Sequence, residues 1–443
     1  MSRRLKISLI ALAALAIVAI GVAWYMLPPR ALGFAGGRSV ELAAYQGPDP
    51  TGVPAQLKGA DIVARGRYLA RAADCEVCHT AHGGALFAGG LAFKTPFGTL
   101  YSPNITADEA TGIGAWSDAE FLRAVHKGVR KDGQPLYPAF PYEAYTLLTD
   151  DDVLAIKAFL FSLPKVRAQP PPNALMFPFN QRFLMAFWSI AYSPGRRFRP
   201  HPDRTPEWNR GAYLAEALAH CGDCHTPRNL AQAMDNRRKF EGALAGGWRA
   251  YNITPDRASG VGDWSDDELV QYIMGAHVPG RGAASGSMAE AINAGLKDLT
   301  PGDLHAIVAY LRSVPARGSG ILPAPRQQVA SDLPKVMAAS YDPRGRQIFE
   351  QACASCHGWS GSSLLSPRAT LTGVRAVNDA TGENVAAIVI GGWASSGAND
   401  LSMPAFGNTY SDTEIAAVAN YVTARFGAAS STLTAADVGK LRP

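Results

Sequence analysis

Cys75-Glu76-Val77-Cys78-His79 is the first of three Cys-x-x-Cys-His motifs around which this 443-residue chain is built. The other two are Cys221-Gly222-Asp223-Cys224-His225 and Cys353-Ala354-Ser355-Cys356-His357. Two thiols at this spacing can bond to the two vinyl groups of one haem, and the adjacent histidine can then bind the iron. The motifs contain all six cysteines, so no further thiol could complete a zinc site. The pattern predicts three covalently bound haem c groups with proximal iron ligands His79, His225 and His357.

Each motif lies in a unit with the same order of elements, and the repeat is clearest between the first two units. An Arg-Gly pair, at Arg65, Arg210 and Arg344, precedes each motif, and in the first unit the helical pattern that contains it begins at Asp61. An amphipathic helix closes each unit, and its apolar spacing predicts the ranges Asp150–Leu163, Pro301–Val314 and Ser411–Phe426. Two such helices packed across a haem are what a small class I cytochrome c requires. We therefore expect a mostly α fold with three tandem class I cytochrome c domains, at residues 61–164, 207–317 and 338–427.

The stretches between these units are rich in Gly, Pro and Ala and lack sustained periodicity, which is typical of tethers and linkers. They comprise a tether at residues 31–60, linkers at 165–206 and 318–337, and a polar tail at 428–443. The first linker contains an aromatic stretch, Leu175–Tyr192, which leaves two interpretations open. It can pack between haem domains, or form an apolar patch that meets the membrane surface, a quinone or a partner subunit.

The N-terminus predicts a membrane anchor over residues 1–30. Three basic residues precede the apolar run Ile7–Leu27, whose 21 residues would span about 30 Å as a helix. A cleaved signal peptide is the alternative, but its apolar region is normally about 7–15 residues long and ends at a small-x-small site. Because basic flanks stay in the cytoplasm, we expect a single N-terminal span in the bacterial inner membrane, with the haem domains in the periplasm.

The charge of the chain argues against one class of partner. The formal net charge is +5, but the propionates of three haems would add about six negative charges and bring the molecule near neutrality. We therefore expect no binding to nucleic acid.

The second axial ligand of a cytochrome c iron is commonly a methionine, which raises the reduction potential. Met288 in the second unit and Met403 in the third lie between the motif and the closing helix, where a distal ligand is expected. The alternative for either residue is a side chain that only fills the core.

In the first unit the repeat places a phenylalanine at this position. Met288 follows Trp264 by 24 residues, and the residue 24 positions after Trp116 is Phe140, whose side chain cannot coordinate iron. The first iron is then five-coordinate, or bound by a residue of its own unit or of the linker. The candidates are His126, Met176 and Met185. An open or weakly bound iron is favoured, with His126 next.

From about Arg65 to Phe426 the chain resembles the triheme cytochrome c subunits of membrane-bound periplasmic alcohol, gluconate, fructose and aldehyde dehydrogenases. The resemblance is carried by Arg-Gly-x-Tyr-Leu before the first two motifs, by the stretch from His220 to Arg228, by Gly286-Ser287-Met288-Ala289-Glu290-Ala291 and by Ser402-Met403-Pro404-Ala405-Phe406. Many members of that family have methionine where this chain has Phe140.

This resemblance implies a non-catalytic electron-transfer subunit that is anchored in the membrane. In that family the subunit takes electrons from a periplasmic catalytic subunit, of the molybdopterin, pyrroloquinoline quinone or flavin type, and delivers them to ubiquinone. It also implies that the proximal ligands are His79, His225 and His357 and the distal ligands Met288 and Met403.

Two other functions remain open. A haem enzyme of the peroxidase type would bind a small ligand at an open first iron. A cytochrome subunit of a terminal oxidase would pass electrons toward oxygen instead of quinone. Outside the haem units the sequence has no set of nucleophile, base and acid, which favours electron transfer without substrate chemistry.

Overall fold

The computed structural model describes residues 3–193, 195–318, 342–393 and 401–442, and most of its regular elements are helices. The chain begins with α1 (Arg3–Met26). The first unit follows, with α2 (Ile62–Ala72), α3 (Cys75–His79), α4 (Asp118–Lys127), α5 (Tyr142–Tyr145) and α6 (Asp150–Ser162). The prediction of a mostly α fold is confirmed.

A small antiparallel sheet joins the first unit to the linker behind it. Its strands are β1 (Ala92–Thr95), β2 (Gly98–Tyr101) and β3 (Ala174–Leu175), in that order. Phe93 pairs with Leu100 on one side of the sheet, and Gly98 pairs with Leu175 on the other. The linker then forms a further helix, α7 (Leu184–Tyr192).

The second and third units repeat the plan of the first. The second contains α8 (Pro206–Tyr213), a π-helical turn (Leu214–Leu218), α9 (Gly222–His225), the hairpin of β4 (Ala243–Ala245) and β5 (Trp248–Ala250), α10 (Asp266–Ile273), α11 (Gly286–Ala294) and α12 (Pro301–Ser313). The third contains α13 (Pro343–Ile348), a π-helical turn (Phe349–Cys353), α14 (Ala354–His357), α15 (Arg375–Asn378), α16 (Glu383–Gly391), α17 (Asp412–Phe426) and α18 (Ala435–Leu441).

The three closing helices, α6, α12 and α17, begin with the same local chemistry. The hydroxyl of Thr149, Thr300 or Ser411 accepts a hydrogen bond from the backbone N–H three residues later. Such an N-cap satisfies a donor that the first helical turn would otherwise leave unpaired. Because this signal is local, the helix boundaries agree with those expected from the sequence to within one residue.

A glycine in the first helix of each unit lets that helix cross the closing helix at very short range. A Cβ atom on Gly66 would collide with the carbonyl oxygen of Ala155 in α6. Gly211 meets Ala306 in the same way, and Gly345 meets Ala417. Each Arg-Gly pattern therefore marks a helix crossing, and the crossing positions the motif that follows it.

The buried side chains of the three units form two separate hydrophobic cores. The first two units form one continuous core, which includes Leu69, Leu214 and Leu304. The third has a separate core around Phe349 and Phe426. The first two units thus pack as a pair, and the third is attached beside them.

Among the residues whose side chains the structure describes, no helix is long and apolar enough to cross a membrane. Several side chains of α1 lie outside that set. The anchor expected over residues 1–30 stays a prediction.

The segments expected to be tether and tail pack against the units. In the tether, the ring of Phe34 lies 5.9 Å from that of Tyr310, and Val53 is buried in the first core. In the tail, α18 buries Val438 completely in the third core. The second linker, at 318–337, lies almost entirely outside the described residues.

Candidate haem sites

Each Cys-x-x-Cys-His motif folds as one helical turn. The first motif is α3, and α9 and α14 carry the other two histidines. Residues three apart in a helix lie on the same face, so the two thiols of each motif point the same way. In the second and third units a π-helical turn joins this helix to the preceding one, a feature that is frequent at functional sites.

Each of the three motif histidines has a backbone carbonyl oxygen as its hydrogen-bond partner. The Nδ1 atom of His79 lies 2.8 Å from the oxygen of Pro103. His225 Nδ1 lies 2.6 Å from the oxygen of Tyr251, and His357 Nδ1 lies 2.6 Å from that of Ala369. A carbonyl can only accept, so Nδ1 carries the proton and Nε2 is left as the metal-binding atom.

Burial reinforces this assignment. Removal from water lowers the pKa of all three histidines, which favours the neutral imidazole that a metal requires. The donor set of each site is therefore two thiols on one helical face and one neutral, oriented imidazole. These residues fit a covalently bound haem.

Two asparagines hold the loops that supply the first two carbonyls. Asn104 follows Pro103 and donates from Nδ2 to the oxygen of Val166 (2.7 Å). Asn252 follows Tyr251 and donates to the oxygen of Arg317 (2.5 Å). Their amides bind protein atoms, and each one fixes the peptide that orients the neighbouring histidine.

The two candidate distal methionines lie at the edges of their cores. Met288 is in α11 and packs against the core shared by the first two units. Met403 packs against the third core and exchanges two backbone hydrogen bonds of 2.8 Å with Trp393. Their role as iron ligands stays a prediction.

At the corresponding place in the first unit, Phe140 packs against the ring of Tyr145 at 5.5 Å. The buried ring of His126 lies on the same side of the unit, with Nδ1 3.0 Å from the oxygen of Tyr145 and Nε2 3.2 Å from Asp150. Nδ1 of His126 is thus hydrogen-bonded, whereas Nε2 is buried beside Asp150 without a hydrogen bond among the described residues, and its role as an iron ligand stays a prediction. Met176 is exposed in the linker, and Met185 lies in α7.

Tyr145 links the first two motifs. Its hydroxyl donates to the oxygen of Ala73, close before the first motif, and its ring lies 5.4 Å from that of His220, directly before the second. Across this junction, burial and the nearby Asp223 raise the pKa of Glu143 to about 8. The first two motifs are thus neighbours in the folded chain.

The third unit contacts the second beside the carbonyl that orients His225. Arg375 in α15 donates to the backbone oxygens of Asn252 (3.1 Å) and Gly260 (2.7 Å), and its guanidinium lies 5.5 Å from the ring centre of Tyr251. Burial lowers the pKa of Arg375 to about 10, so the group keeps its charge at neutral pH. In the folded chain the second site therefore lies next to the first site and next to the third unit.

Sequence reasoning missed the groups that orient the histidines. The acceptors at Pro103, Tyr251 and Ala369 are backbone oxygens, which no side-chain pattern reveals. The role of Arg375 has no signal in the sequence either, because the first two units offered no repeated residue with which to compare it. Asn104 and Asn252 do recur at matching positions, 12 residues before Trp116 and Trp264, but a recurring asparagine does not by itself reveal which backbone atoms it binds.

Comparison with known proteins places these features in context. The family described as cytochrome C oxidase, cbb3-type, subunit III matches residues 342–422. The fructose dehydrogenase cytochrome subunit of Gluconobacter japonicus is 38% identical over 407 residues, which cover 86% of this chain and 82% of the relative. The gluconate 2-dehydrogenase cytochrome c subunit of Pantoea cypripedii is 36% identical, with 86% and 89% covered.

A longer relative matches the same region. It is a nicotinate dehydrogenase subunit of Pseudomonas putida, which is 38% identical over 372 residues that cover 83% of this chain. The match covers 31% of that relative, so the present chain spans about a third of its length.

Proposed function

Because the chain belongs to the family of cytochrome c subunits of dehydrogenases, we propose that it is a triheme electron-transfer subunit that connects a catalytic subunit with ubiquinone. Three haem c groups would be held by the thiols of the three motifs, one in each of three tandem cytochrome c domains behind an N-terminal membrane anchor. Haem, when bound, supplies reversible one-electron chemistry at its iron.

The observation that carries this proposal is the common geometry of the three histidines. In each unit Nδ1 faces a backbone carbonyl and leaves Nε2 for a metal. His79 is buried, His225 and His357 are partly buried, and Met288 and Met403 would supply a second ligand that favours the reduced state. Adjacent sites in a chain of this kind suit the transfer of electrons from one partner to another.

The partner follows from the relatives, which are subunits of fructose, gluconate and nicotinate dehydrogenases. The partner proposed here is a periplasmic catalytic subunit that oxidises its substrate with a molybdopterin, pyrroloquinoline quinone or flavin cofactor. This chain supplies no substrate chemistry of its own. It sits at the outer face of the bacterial inner membrane, where ubiquinone accepts the electrons.

The test uses the full-length holoprotein together with the catalytic subunit that co-purifies with it. Pyridine haemochrome and intact mass should give three haems per chain. In rapid mixing, substrate should reduce the haems through the catalytic subunit, and a short-chain ubiquinone should reoxidise them. A chain with fewer haems, or haems that ubiquinone does not reoxidise, would contradict the proposal.

A second candidate is a cytochrome subunit that delivers electrons to a terminal oxidase. The match of residues 342–422 to a cytochrome oxidase subunit family favours it. Reoxidation of the haems by a co-purifying oxidase and oxygen, with no reaction with ubiquinone, would support this candidate over the first.

A further inference from the structure

The linker helix α7 presents an apolar face outward. Phe183, Phe187 and Ile190 lie at helical spacing on one side, and Phe187 and Ile190 are 67% and 79% exposed. None of the residues of α7 is buried, and Phe177 just before the helix is also exposed. A contiguous apolar surface of this kind marks a site that contacts a membrane or another molecule.

The opposite side of α7 is fixed to the protein. Trp188 donates from Nε1 to the backbone oxygen of Ala231 in the second unit, at 2.8 Å. The hydroxyl of Ser189 lies 3.2 Å from that of Tyr142 in the first unit. The helix is thus held by both units, and these contacts direct Phe183, Phe187 and Ile190 away from them.

The same stretch of the second unit that holds α7 also holds the end of α1. Asn229 donates to the oxygen of Met26 at 3.0 Å, and the guanidinium of Arg237 lies 4.1 Å from the ring centre of Trp24. Between these contacts, Leu230 is 80% exposed beside the Ala231 that binds Trp188. The segment around Leu230, an exposed apolar side chain, therefore contacts both α7 and the C-terminal end of α1.

The chemistry of this surface fits a lipid bilayer. Trp24 and Tyr25 at the end of α1 are the aromatic residues that favour the membrane–water interface. Arg182 directly precedes Phe183, and Arg237, which pairs with Asp235 at 2.8 Å, stacks on Trp24. Cations beside an apolar surface attract anionic headgroups. An apolar helix face that lies near arginines and near the end of a second apolar helix is typical of a segment in the interface plane.

We infer that α7 lies in the bilayer interface beside the end of α1, with Phe183, Phe187 and Ile190 in contact with the acyl chains. This inference rests on the membrane attachment proposed above. The partner is a membrane surface that contains anionic phospholipid. Two separate membrane contacts, α1 and α7, would then fix the orientation of the first two units.

The segment around α7 also contacts the loop that carries Phe140 in the first unit. The hydroxyl of Tyr137 donates to the backbone oxygen of Phe179, and Tyr142 contacts Ser189 of α7. The loop between these tyrosines carries Phe140. The loop that carries Phe140 is therefore held against the protein-facing side of α7, behind the apolar face of that helix.

The test places a nitroxide label at single sites of the full-length holoprotein. The variants are Phe187→Cys in α7, Val18→Cys in α1 and Leu364→Cys, a fully exposed apolar position of the third unit. Reduced protein is reconstituted into phosphatidylethanolamine–phosphatidylglycerol vesicles, and power saturation compares collisions with oxygen and with a water-soluble nickel complex. Phe183→Cys repeats the measurement on the same face of α7.

The label at position 187 should collide with oxygen far more than with nickel, whereas the label at 364 should do the reverse. If the label at 187 matches that at 364 while the label at 18 is lipid-exposed, the inference is overturned and the anchoring by α1 survives. If only the label at 18 is water-exposed, the contact through α7 stands and the N-terminal anchor fails. Nickel access at 187 that disappears only on adding the catalytic subunit would assign the surface to a protein and overturn the inference.

Discussion

Tyr68 in the first unit donates a hydrogen bond to Asp303 in the second, with 2.6 Å between Oη and Oδ2. Tyr213 in the second unit donates in the same way to Asp152 in the first. The tyrosines occupy equivalent positions of the repeat, and each aspartate is the third residue of a closing helix. The first two units thus exchange equivalent bonds across a pseudo-twofold interface. The third unit has an exposed Gln347 at the position of the tyrosine.

Tyr213→Phe should destabilise the chain more than Tyr68→Phe. Asp303 also accepts two hydrogen bonds from Arg210, at 2.8 and 2.6 Å, so it stays well paired when Tyr68 is changed. Asp152 keeps the backbone N–H of Gly52 but loses its tyrosine. We expect losses of about 1 kcal/mol for Tyr68→Phe and about 2–3 kcal/mol for Tyr213→Phe in the free energy of unfolding, measured by denaturant titration of the holoprotein.

The matched control is Gln347→Ala, which changes the equivalent exposed position of the third unit. It should alter the unfolding free energy by less than about 0.5 kcal/mol. Equal losses for the two tyrosines would contradict the assignment, because they would mean that Arg210 contributes nothing to holding Asp303.

Alanine at the crossing glycines should be costly, although alanine normally stabilises a helix. In Gly66→Ala, Gly211→Ala and Gly345→Ala the new methyl group would meet a backbone carbonyl of the closing helix. Overpacking of this kind costs about 1–3 kcal/mol or more, and thermal unfolding would record it as a lower midpoint. Gly302→Ala in α12 is the control, because nothing lies within 4 Å of its Cβ position. That change should be neutral or stabilising by up to about 1 kcal/mol.

The elements that could be predicted from the sequence are those with a local cause. Thr149 and Thr300 predict where the closing helices begin, because an N-cap acts within one helical turn. The offset from Trp264 to Met288 led to Phe140, and both residues lie at helices that contact the other unit. Met288 is in α11, which contacts α3, and Phe140 directly precedes α5, which contacts the π-helical turn before the second motif.

The contacts between units could not be predicted, because the presence of each contacting residue in the sequence can be explained by its own helix alone. Asp303 is three residues after Thr300 and looks like an ordinary acid of a first helical turn, so nothing indicates that Tyr68 binds it. The aromatic stretch in the linker has the composition of either a buried or an exposed element. Only the folded chain shows that α7 uses Trp188 against the protein and leaves Phe187 outside.

Phe140→Met should give the iron of the first haem a distal ligand. If no side chain binds the distal side of that iron, carbon monoxide should perturb the spectrum of one haem of the reduced protein. A methionine at position 140 would place a thioether where Met288 lies in the repeat, and we expect the carbon monoxide signal to disappear. A parent protein in which carbon monoxide changes none of the haems would contradict the prediction.

Met288→Leu should have the opposite effect on the second haem. Leucine keeps most of the apolar volume but removes the sulfur, so a second haem should become reactive toward carbon monoxide and its reduction potential should fall. Met234→Leu is the control, since this buried methionine lies on the motif side of the second unit, against Gly222. An unchanged spectrum in Met288→Leu would exclude the residue as an iron ligand.

Arg375→Gln should lower the reduction potential of the second haem, although Arg375 belongs to the third unit. The charged guanidinium donates to the peptide oxygen next to the one that orients His225, so it opposes the additional positive charge of a ferric iron. Arg375→Lys keeps the charge and should retain most of the potential in a redox titration of the holoprotein. Arg368→Gln removes another arginine that reaches the second unit, at the oxygen of Gly275 (2.6 Å), and should leave the potential unchanged. An equal fall in Arg368→Gln would trace the effect to looser packing between the units instead of to the charge of Arg375.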